Sequence, residues 1–253
     1  MYYDEIARIT ITARNKWDFL QASKSKYILL SALAGVYVGF GILLIFTIGG
    51  LLAQGDGFSI RLVMGVCFGI ALSLVIMAGS ELFTGNNMVM TIGNLERAVS
   101  LRASVSIYFY SFVGNLGGSI LIAYLFWLSG LAHGSTAAYI TKIAQVKTTL
   151  PWLELFVRGI LCNALVCLAV WCSYRMKEET GKLIMIFWCL FAFITTGFEH
   201  SVANMTLLAV ALLISPELIT MNGVIYNLAF VTAGNFLGGA VLIGTSYWYV
   251  SKK

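Results

Sequence analysis

Two apolar stretches of the sequence contain the polar side chains that could do chemistry. Glu81 and Asn86 lie in one stretch, and Glu199, His200 and Asn204 lie in the other. A histidine with its ordinary pKa of ~6.5 exchanges a proton or a hydrogen bond near neutral pH. The order Glu199-His200 is not the H-E-x-x-H of a metalloprotease. Since the sequence shows no Ser/His/Asp or Cys/His grouping, it does not predict catalytic residues or an intramembrane enzyme.

The same polar pattern occurs twice at a constant spacing. The segment 79–86 (GSELFTGN) is matched by the segment 197–204 (GFEHSVAN), and the matched positions lie 118 residues apart. A second echo pairs 114–118 (GNLGG) with 234–239 (GNFLGG), where the spacing is 120 to 121 residues. A repeat of this length predicts that the chain consists of two homologous halves.

The composition indicates a membrane protein. Of the 253 residues, 59% are hydrophobic and 11% are charged, and the mean hydropathy is +0.88. An average soluble domain has roughly a quarter charged residues, so an ordinary soluble enzyme is excluded. The net charge of +5 resides in connectors and does not predict nucleic-acid binding. The apolar runs predict six membrane spans, at about 27–53, 62–92, 104–130, 155–174, 183–214 and 221–250.

The second and fifth predicted spans carry the polar repeat and are too interrupted to be single helices. Each is predicted to consist of two half-helices joined by an irregular segment that lines a cavity or is buried in protein. Because each half of the chain has three spans, the halves must enter the bilayer in opposite directions. The inward half-helix N-termini present positive dipole ends that suit a small anion. The predicted fold class is an all-α, six-span inverted repeat of transporter or channel type.

An amphipathic segment precedes the first span. Residues 1–24 are predicted to form a cytoplasmic helix on the membrane face, followed by a six-span domain at 25–253. The repeat halves of that domain are placed at about 25–130 and 152–250. The apolar stripe of the first helix consists of Ile6, Ile9, Ala13, Trp17 and Leu20.

The basic residues predict the orientation in the membrane. Six spans put both termini on one side, and 12 of the 16 Lys and Arg residues, Lys252 and Lys253 included, lie with the termini. The other four are Arg61, Lys142, Lys147 and Arg158. By the positive-inside rule, both termini are expected in the cytoplasm of a multi-pass cell (inner or plasma) membrane protein.

The cysteines and glycines indicate packing. The cysteines lie in apolar runs without metal-ligand spacing, so neither a metal site nor a cofactor is expected. They are Cys67, Cys162, Cys167, Cys172 and Cys189. The glycine pairs with G-x-x-x-G spacing predict close helix contacts. They are Gly35/Gly39, Gly65/Gly69, Gly114/Gly118 and Gly234/Gly238.

The sequence resembles the formate/nitrite transporter family over nearly its whole length. The resemblance is carried in order by AGSELFTGN (78–86), LCNALVCLAVW (161–171), TGFEHSVANM (196–205) and GNFLGG (234–239). It implies a homopentamer of aquaporin-like protomers, each with its own pore for small monovalent anions or their weak acids. The AGSELFTG segment and the Lys147-Thr-Thr run are similar to the nitrite branch, and a hydrosulfide branch shares many of these residues.

The resemblance also implies roles for individual residues. His200 matches the central pore histidine, Thr84 the loop threonine beside it, Asn163 a nearby asparagine and Lys147 a lysine of the outer vestibule. The hydrophobic pore constrictions match Phe68, Leu72, Leu82, Phe83, Val166 and Phe193. Carboxylates in the pore would repel an anion, so the repeated polar residues are expected to brace the helix breaks. They are Glu81, Glu199, Asn86 and Asn204.

These inferences predict a passive or proton-coupled channel or transporter in the lipid bilayer for nitrite or formate, with His200 as the site of any proton exchange and no nucleic-acid partner. An apolar ring blocks a bare ion because burying an isolated charge costs up to tens of kcal/mol, whereas a protonated anion avoids most of that cost. Replacing His200 with a non-titrating residue is therefore expected to change the pH dependence of flux. The alternatives are a hydrosulfide channel of the same fold and a non-transporting membrane sensor.

Overall fold

The computed structural model describes residues 1–53 and 59–252, and these residues form helices joined by short turns, without a strand among them. The helices are α1 (Tyr3–Ala22), α2 (Lys24–Leu52), α3 (Ile60–Cys67), α4 (Ile70–Met77), α5 (Phe83–Leu95), α6 (Leu101–Leu128), α7 (Gly134–Thr149), α8 (Trp152–Arg175), α9 (Glu179–Thr196), α10 (Ser201–Ile214), α11 (Met221–Leu237) and α12 (Ser246–Ser251). π-helical turns at Gly238–Thr245 join α11 to α12.

Six apolar helical segments in the described residues are long enough to cross a membrane, as predicted. They are Lys24–Leu52, Ile60–Met77, Leu101–Leu128, Trp152–Arg175, Glu179–Thr196 and Met221–Ser251. After the second and the fifth segment, the chain turns and continues as the half-helices α5 and α10. The prediction of two broken spans is therefore confirmed.

Three local features differ from the predicted spans. The second span has an extra interruption at Phe68 and Gly69, between α3 and α4, and the sixth contains the π-helical turns. A run of apolar letters does not distinguish i→i+4 from i→i+5 hydrogen bonding, so the sequence predicts neither change. The connector at 131–151 contains the helix α7, which is too polar to give the signal of a span.

The two halves of the chain repeat one helix packing. α2 packs along α6 in the first half, and α8 packs along α11 in the second. Glycines close both contacts: a Cβ on Gly118 would meet the Ala32 carbonyl group, and a Cβ on Gly238 would meet that of Ile160. Two of the predicted glycine pairs therefore serve close packing within the protomer.

Gly118→Ala is expected to lower the melting temperature of the protein, whereas Gly117→Ala is not. A methyl group at position 118 would overlap the Ala32 carbonyl, but nothing lies within 4 Å of a Cβ at position 117. Overpacking at such a contact costs about 1–3 kcal/mol. Thermal unfolding of both variants in detergent measures the difference. Equal melting temperatures would show that α2 and α6 separate without cost.

The first helix packs against the rest of the protein. Four of its five predicted stripe residues are buried, namely Ile6, Ile9, Ala13 and Leu20. The Ala13 methyl group occupies the place that a side chain on Gly93 of α5 would take. The stripe therefore faces the protein, and α1 carries Lys16 to the break in the second span.

Candidate functional site

Each broken span is interrupted by a short non-helical turn. The turns are residues 78–82, between α4 and α5, and residues 197–200, between α9 and α10. Gly79 and Gly197 have φ angles of 76° and 80°, in the left-handed region that favours glycine. The half-helices that follow start 118 residues apart, so the repeat found in the sequence relates the two breaks.

Two buried asparagines hold the breaks in matching ways. The Asn115 side-chain amide donates to the carbonyl oxygens of Ser31 (2.7 Å) and Glu81 (2.9 Å), and its Oδ1 accepts from the Phe83 N–H (2.8 Å). Asn235 makes the three equivalent bonds, at 2.8–2.9 Å, with Gly159, Glu199 and Ser201. Each asparagine thus satisfies the first N–H of a half-helix, which has no partner within the helix. In the sequence, Asn115 and Asn235 appear only as matching positions of the second repeated segment, with no role assigned to them.

Beside each break lies a glutamate whose carboxylate accepts hydrogen bonds from a lysine and an asparagine. Glu81 accepts from Lys16 Nζ at 2.6 Å and from Asn86 Nδ2 at 3.2 Å. In the second half, Glu199 makes the same two bonds, each at 2.6 Å, with Lys147 and Asn204. These contacts are compatible with the expected bracing role, which stays a prediction. The sequence does not single out Lys16 because it lies outside the spans, and only the packing of α1 brings it to Glu81.

His200 and Thr84 connect the two breaks. Thr84 Oγ1 lies 3.0 Å from His200 Nε2, and both residues are buried. His200 is the N-cap residue of α10, and Thr84 lies in the first turn of α5. Their hydrogen bond therefore brings together the N-terminal ends of two half-helices, where the helix dipoles are positive. These two predicted residues are adjacent, as expected.

The hydrogen bonds also define which nitrogen of the His200 ring carries the proton. Nδ1 accepts from the Ala203 N–H at 3.1 Å, so Nδ1 carries no hydrogen and the neutral ring is protonated on Nε2. The Nε2–H group then points at Thr84 Oγ1. A proton on Nδ1 would break the cap of α10. In this arrangement the ring acts as a hydrogen-bond donor.

One cavity lies beside each break, and each of the two cavities is lined by one of the two lysines. The connector cavity, about 140 Å³, is lined by Lys147, Glu199 and His200 together with residues of α3, α7 and α9. The terminal cavity, about 340 Å³, is lined by Lys16 and Glu81 together with residues of α4, α5 and α8. A half-buried lysine–glutamate pair therefore lies at each end of the region between the breaks.

A much smaller central cavity, about 10 Å³, lies between these two. It shares Phe193 and His200 with the connector cavity, and Leu72 and Leu82 with the terminal cavity. A cavity needs at least about 10–15 Å³ to hold a water molecule, so this is a constriction. Among the described residues that line it, His200 is the only polar one. Five predicted constriction residues line it, namely Phe68, Leu72, Leu82, Val166 and Phe193.

Phe83 and Asn163 lie away from the central cavity. Phe83 lines an apolar surface groove, where its ring contacts Phe112 with centroids 5.3 Å apart. The fully buried Asn163 donates to the carbonyl oxygens of Thr84 (3.2 Å) and Asn235 (2.6 Å). Both N–H groups of Asn163 are thus engaged behind Thr84. Direct roles for Phe83 and Asn163 in a pathway stay predictions.

Comparison with known proteins agrees with this architecture. A family model described as formate/nitrite transporter matches residues 4–249. The nitrite transporter NirC of Escherichia coli K12 is 48% identical over 226 residues, which cover 88% of this chain and 82% of NirC. A solved FNT family ion channel superposes with a TM-score of 0.93 at 42% identity, covering 98% of this chain and 99% of that one. A pentameric formate channel with formate bound gives a TM-score of 0.82 at 27% identity, covering 92% and 99%.

The likeness to these two structures extends over almost the whole chain and confirms the predicted fold class. The relatives are transporters and channels, which agrees with the prediction that the protein is not an enzyme. On these grounds the chain belongs to the formate/nitrite transporter family, as a multi-pass membrane channel or transporter for small monovalent anions.

Proposed function

We propose that the protein carries nitrite across the cell membrane through a pore in each protomer, with formate as the second candidate. The observation that carries this proposal is His200, a hydrogen-bond donor and the one polar side chain that the described residues contribute to the constriction between two cavities. The 48% identity to a nitrite transporter supports nitrite. The pentameric formate channel supports formate and a homopentameric assembly.

The two lysines attract the anion to the ends of the pore. Lys147 and Lys16 are 16% and 15% exposed, and each bonds to a carboxylate oxygen 2.6 Å away. An ammonium group has three N–H donors. Each lysine therefore retains donors for a passing anion, while its glutamate reduces the local excess of positive charge and prevents tight trapping.

The constriction sets the main barrier. An anion must lose its water to pass Phe193 on one side and Leu72 and Leu82 on the other, and an unpaired charge in such surroundings is costly. The His200 Nε2–H group and the positive ends of α5 and α10 offset part of this cost. A proton taken up from hydronium in either cavity converts the anion to its neutral acid, leaves a water molecule and removes most of the remaining cost, which couples transport to pH.

The positive-inside rule supports a cytoplasmic location of both termini, since 12 of the 16 basic residues lie on their side. One of the 12, Lys253, lies outside the described residues. In this orientation the terminal cavity faces the cytoplasm and the connector cavity faces outward. Flux in either direction then follows the gradients of anion and proton.

Thr84→Val is expected to lower nitrite flux about tenfold, and Thr84→Ser is expected to restore most of it. Valine keeps the shape of threonine but removes the hydroxyl group beside His200 Nε2. A hydrogen bond to a charged group is worth about 1.5–3 kcal/mol, so the loss of one such donor during passage has an effect of this size. Initial rates in proteoliposomes measure it. Equal flux in Thr84→Val and wild type would show that the Thr84 hydroxyl group takes no part in anion passage.

The proposed function is tested with the purified protein in liposomes. Entry of nitrite, formate and hydrosulfide is measured separately, against protein-free vesicles of the same lipid. Nitrite is expected to enter fastest, with flux that increases towards acidic external pH. If none of the three anions enters faster than in empty vesicles, the transport proposal fails and the sensor alternative stands. A clear preference for hydrosulfide would show that the protein is a channel with hydrosulfide, not nitrite, as its substrate.

A further inference from the structure

Three basic side chains line the connector cavity, and two of them have carboxylate partners. Lys147 bonds to Glu199 at 2.6 Å, and Arg158 bonds to Glu154 at 2.5 Å. The third is Arg61 of α3. Among residues 1–53 and 59–252, no carboxylate oxygen lies within 4.0 Å of the Arg61 guanidinium. Arg61 is thus the cation of this cavity whose charge the described carboxylates leave uncompensated.

The Arg61 guanidinium lies over the turn that precedes His200. Its Nη1 atom is 3.6 Å from the place that a Cβ on Gly197 would occupy, and the Arg61 side chain is exposed. His200 follows three residues later and lines the same cavity. An anion held by Arg61 would therefore lie in the cavity that leads to the constriction, which Lys147 also lines.

We propose that Arg61 is the first binding site for the transported anion and selects planar anions with two oxygens, such as nitrite and formate, over hydrosulfide. This inference rests on the proposed function. A guanidinium presents two parallel N–H groups that match two oxygens on one atom. Hydrosulfide has a single sulfur, which is a weak acceptor and leaves half of the fork unused. A lysine at this position would attract all three anions as a point charge.

A purely structural role for Arg61 has a different signature. The guanidinium also lies at the C-terminal end of α9, where a positive charge stabilises the helix dipole. A helix-capping residue influences stability and affects all substrates alike. The selectivity between anions is therefore the measurement that separates the two roles.

The experiment compares wild type with Arg61→Gln and Arg61→Lys in proteoliposomes, over a range of nitrite, formate and hydrosulfide concentrations. In Arg61→Gln we expect the half-saturation concentration to increase about fivefold for nitrite and formate and to stay unchanged for hydrosulfide. Arg61→Lys keeps the charge without the fork and is expected to lose the same selectivity. Lys142→Gln is the matched control, since it removes an exposed positive charge from α7 that does not line the cavity. It is expected to resemble wild type.

Three results would overturn the assignment. These are an equal change for all three anions, wild-type selectivity in Arg61→Lys, or the same loss in Lys142→Gln. The carboxylate of Asp56 lies outside the described residues, so the comparison is repeated in an Asp56→Asn background. The selective loss in the Arg61 variants must persist in that background. If wild-type vesicles conduct no anion, the proposed function fails and this inference fails with it. If wild type conducts and the Arg61 variants stay selective, only this inference fails.

Discussion

His200→Leu is expected to lower nitrite flux by tenfold or more, whereas His200→Asn is expected to keep most of it. Leucine removes the polar side chain of the constriction and the cap on the Ala203 N–H. Asparagine has an oxygen that can cap α10 and an amide that can donate towards Thr84. Since a hydrogen bond to a charged group is worth about 1.5–3 kcal/mol, its loss slows passage by roughly ten- to a hundredfold. Initial nitrite flux in proteoliposomes gives the ratio.

The pH profile of His200→Asn distinguishes proton exchange from hydrogen bonding at this position. In the structure, Nδ1 accepts a hydrogen bond from the Ala203 N–H, so His200 acts as a donor through Nε2. Under the proposed function, the anion therefore takes its proton from hydronium in the cavities. We therefore expect the profile of the asparagine variant to keep its shape. A flattened profile would show that His200 itself exchanges the proton, which is what the sequence alone predicts. Equal, low flux in both variants would contradict the donor role.

Asn115→Leu and Asn235→Leu are expected to have the largest effects on stability, about 3 kcal/mol or more each. Each substitution leaves two carbonyl oxygens and one N–H group without their partner at a helix break. A buried polar group without a partner costs about 1–3 kcal/mol, and three are affected in each variant. Thermal unfolding in detergent, with chromatography to follow the assembly, measures the loss.

Asn222→Leu is the matched control for these variants, because Asn222 is an exposed residue of α11, the helix that also contains Asn235. It is expected to melt as wild type does. Similar losses for Asn115→Leu and Asn235→Leu would agree with the repeat relation between the breaks. If both resemble Asn222→Leu, the lysine–glutamate pairs alone are sufficient to hold the breaks.

The broken spans are predictable because polar residues at membrane depth are costly and therefore conspicuous. The 118-residue spacing of Glu81 and Glu199 is enough to locate both breaks. The roles of Asn115, Asn235 and Lys16 are not predictable in the same way. The sequence does not show which carbonyl groups an asparagine in an apolar helix bonds to. Lysines are common on the solvated faces of surface helices, so Lys16 does not stand out in the sequence.

The repeat also gives no sign that His200 pairs with Thr84. By the 118-residue spacing, His200 corresponds to Leu82 and Thr84 corresponds to Val202. Each half therefore contributes one polar residue, at a position where the other half has an apolar one. The resemblance to a family points to both residues, but the repeat spacing gives no reason to place them together.

Sequence alone established the membrane class, the six spans, the two breaks and the family, because hydrophobicity, charge and repeat spacing are properties of the chain in order. The tertiary structure decided which polar groups meet. His200 and Thr84 are 116 residues apart, and Lys16 and Glu81 are 65 apart. Each pair forms because oppositely inserted halves bring two half-helix N-termini together, and α1 folds back onto the second span. Without its partner, each of these polar side chains would pay a desolvation cost on burial. The hydrogen bonds made in the folded arrangement offset that cost.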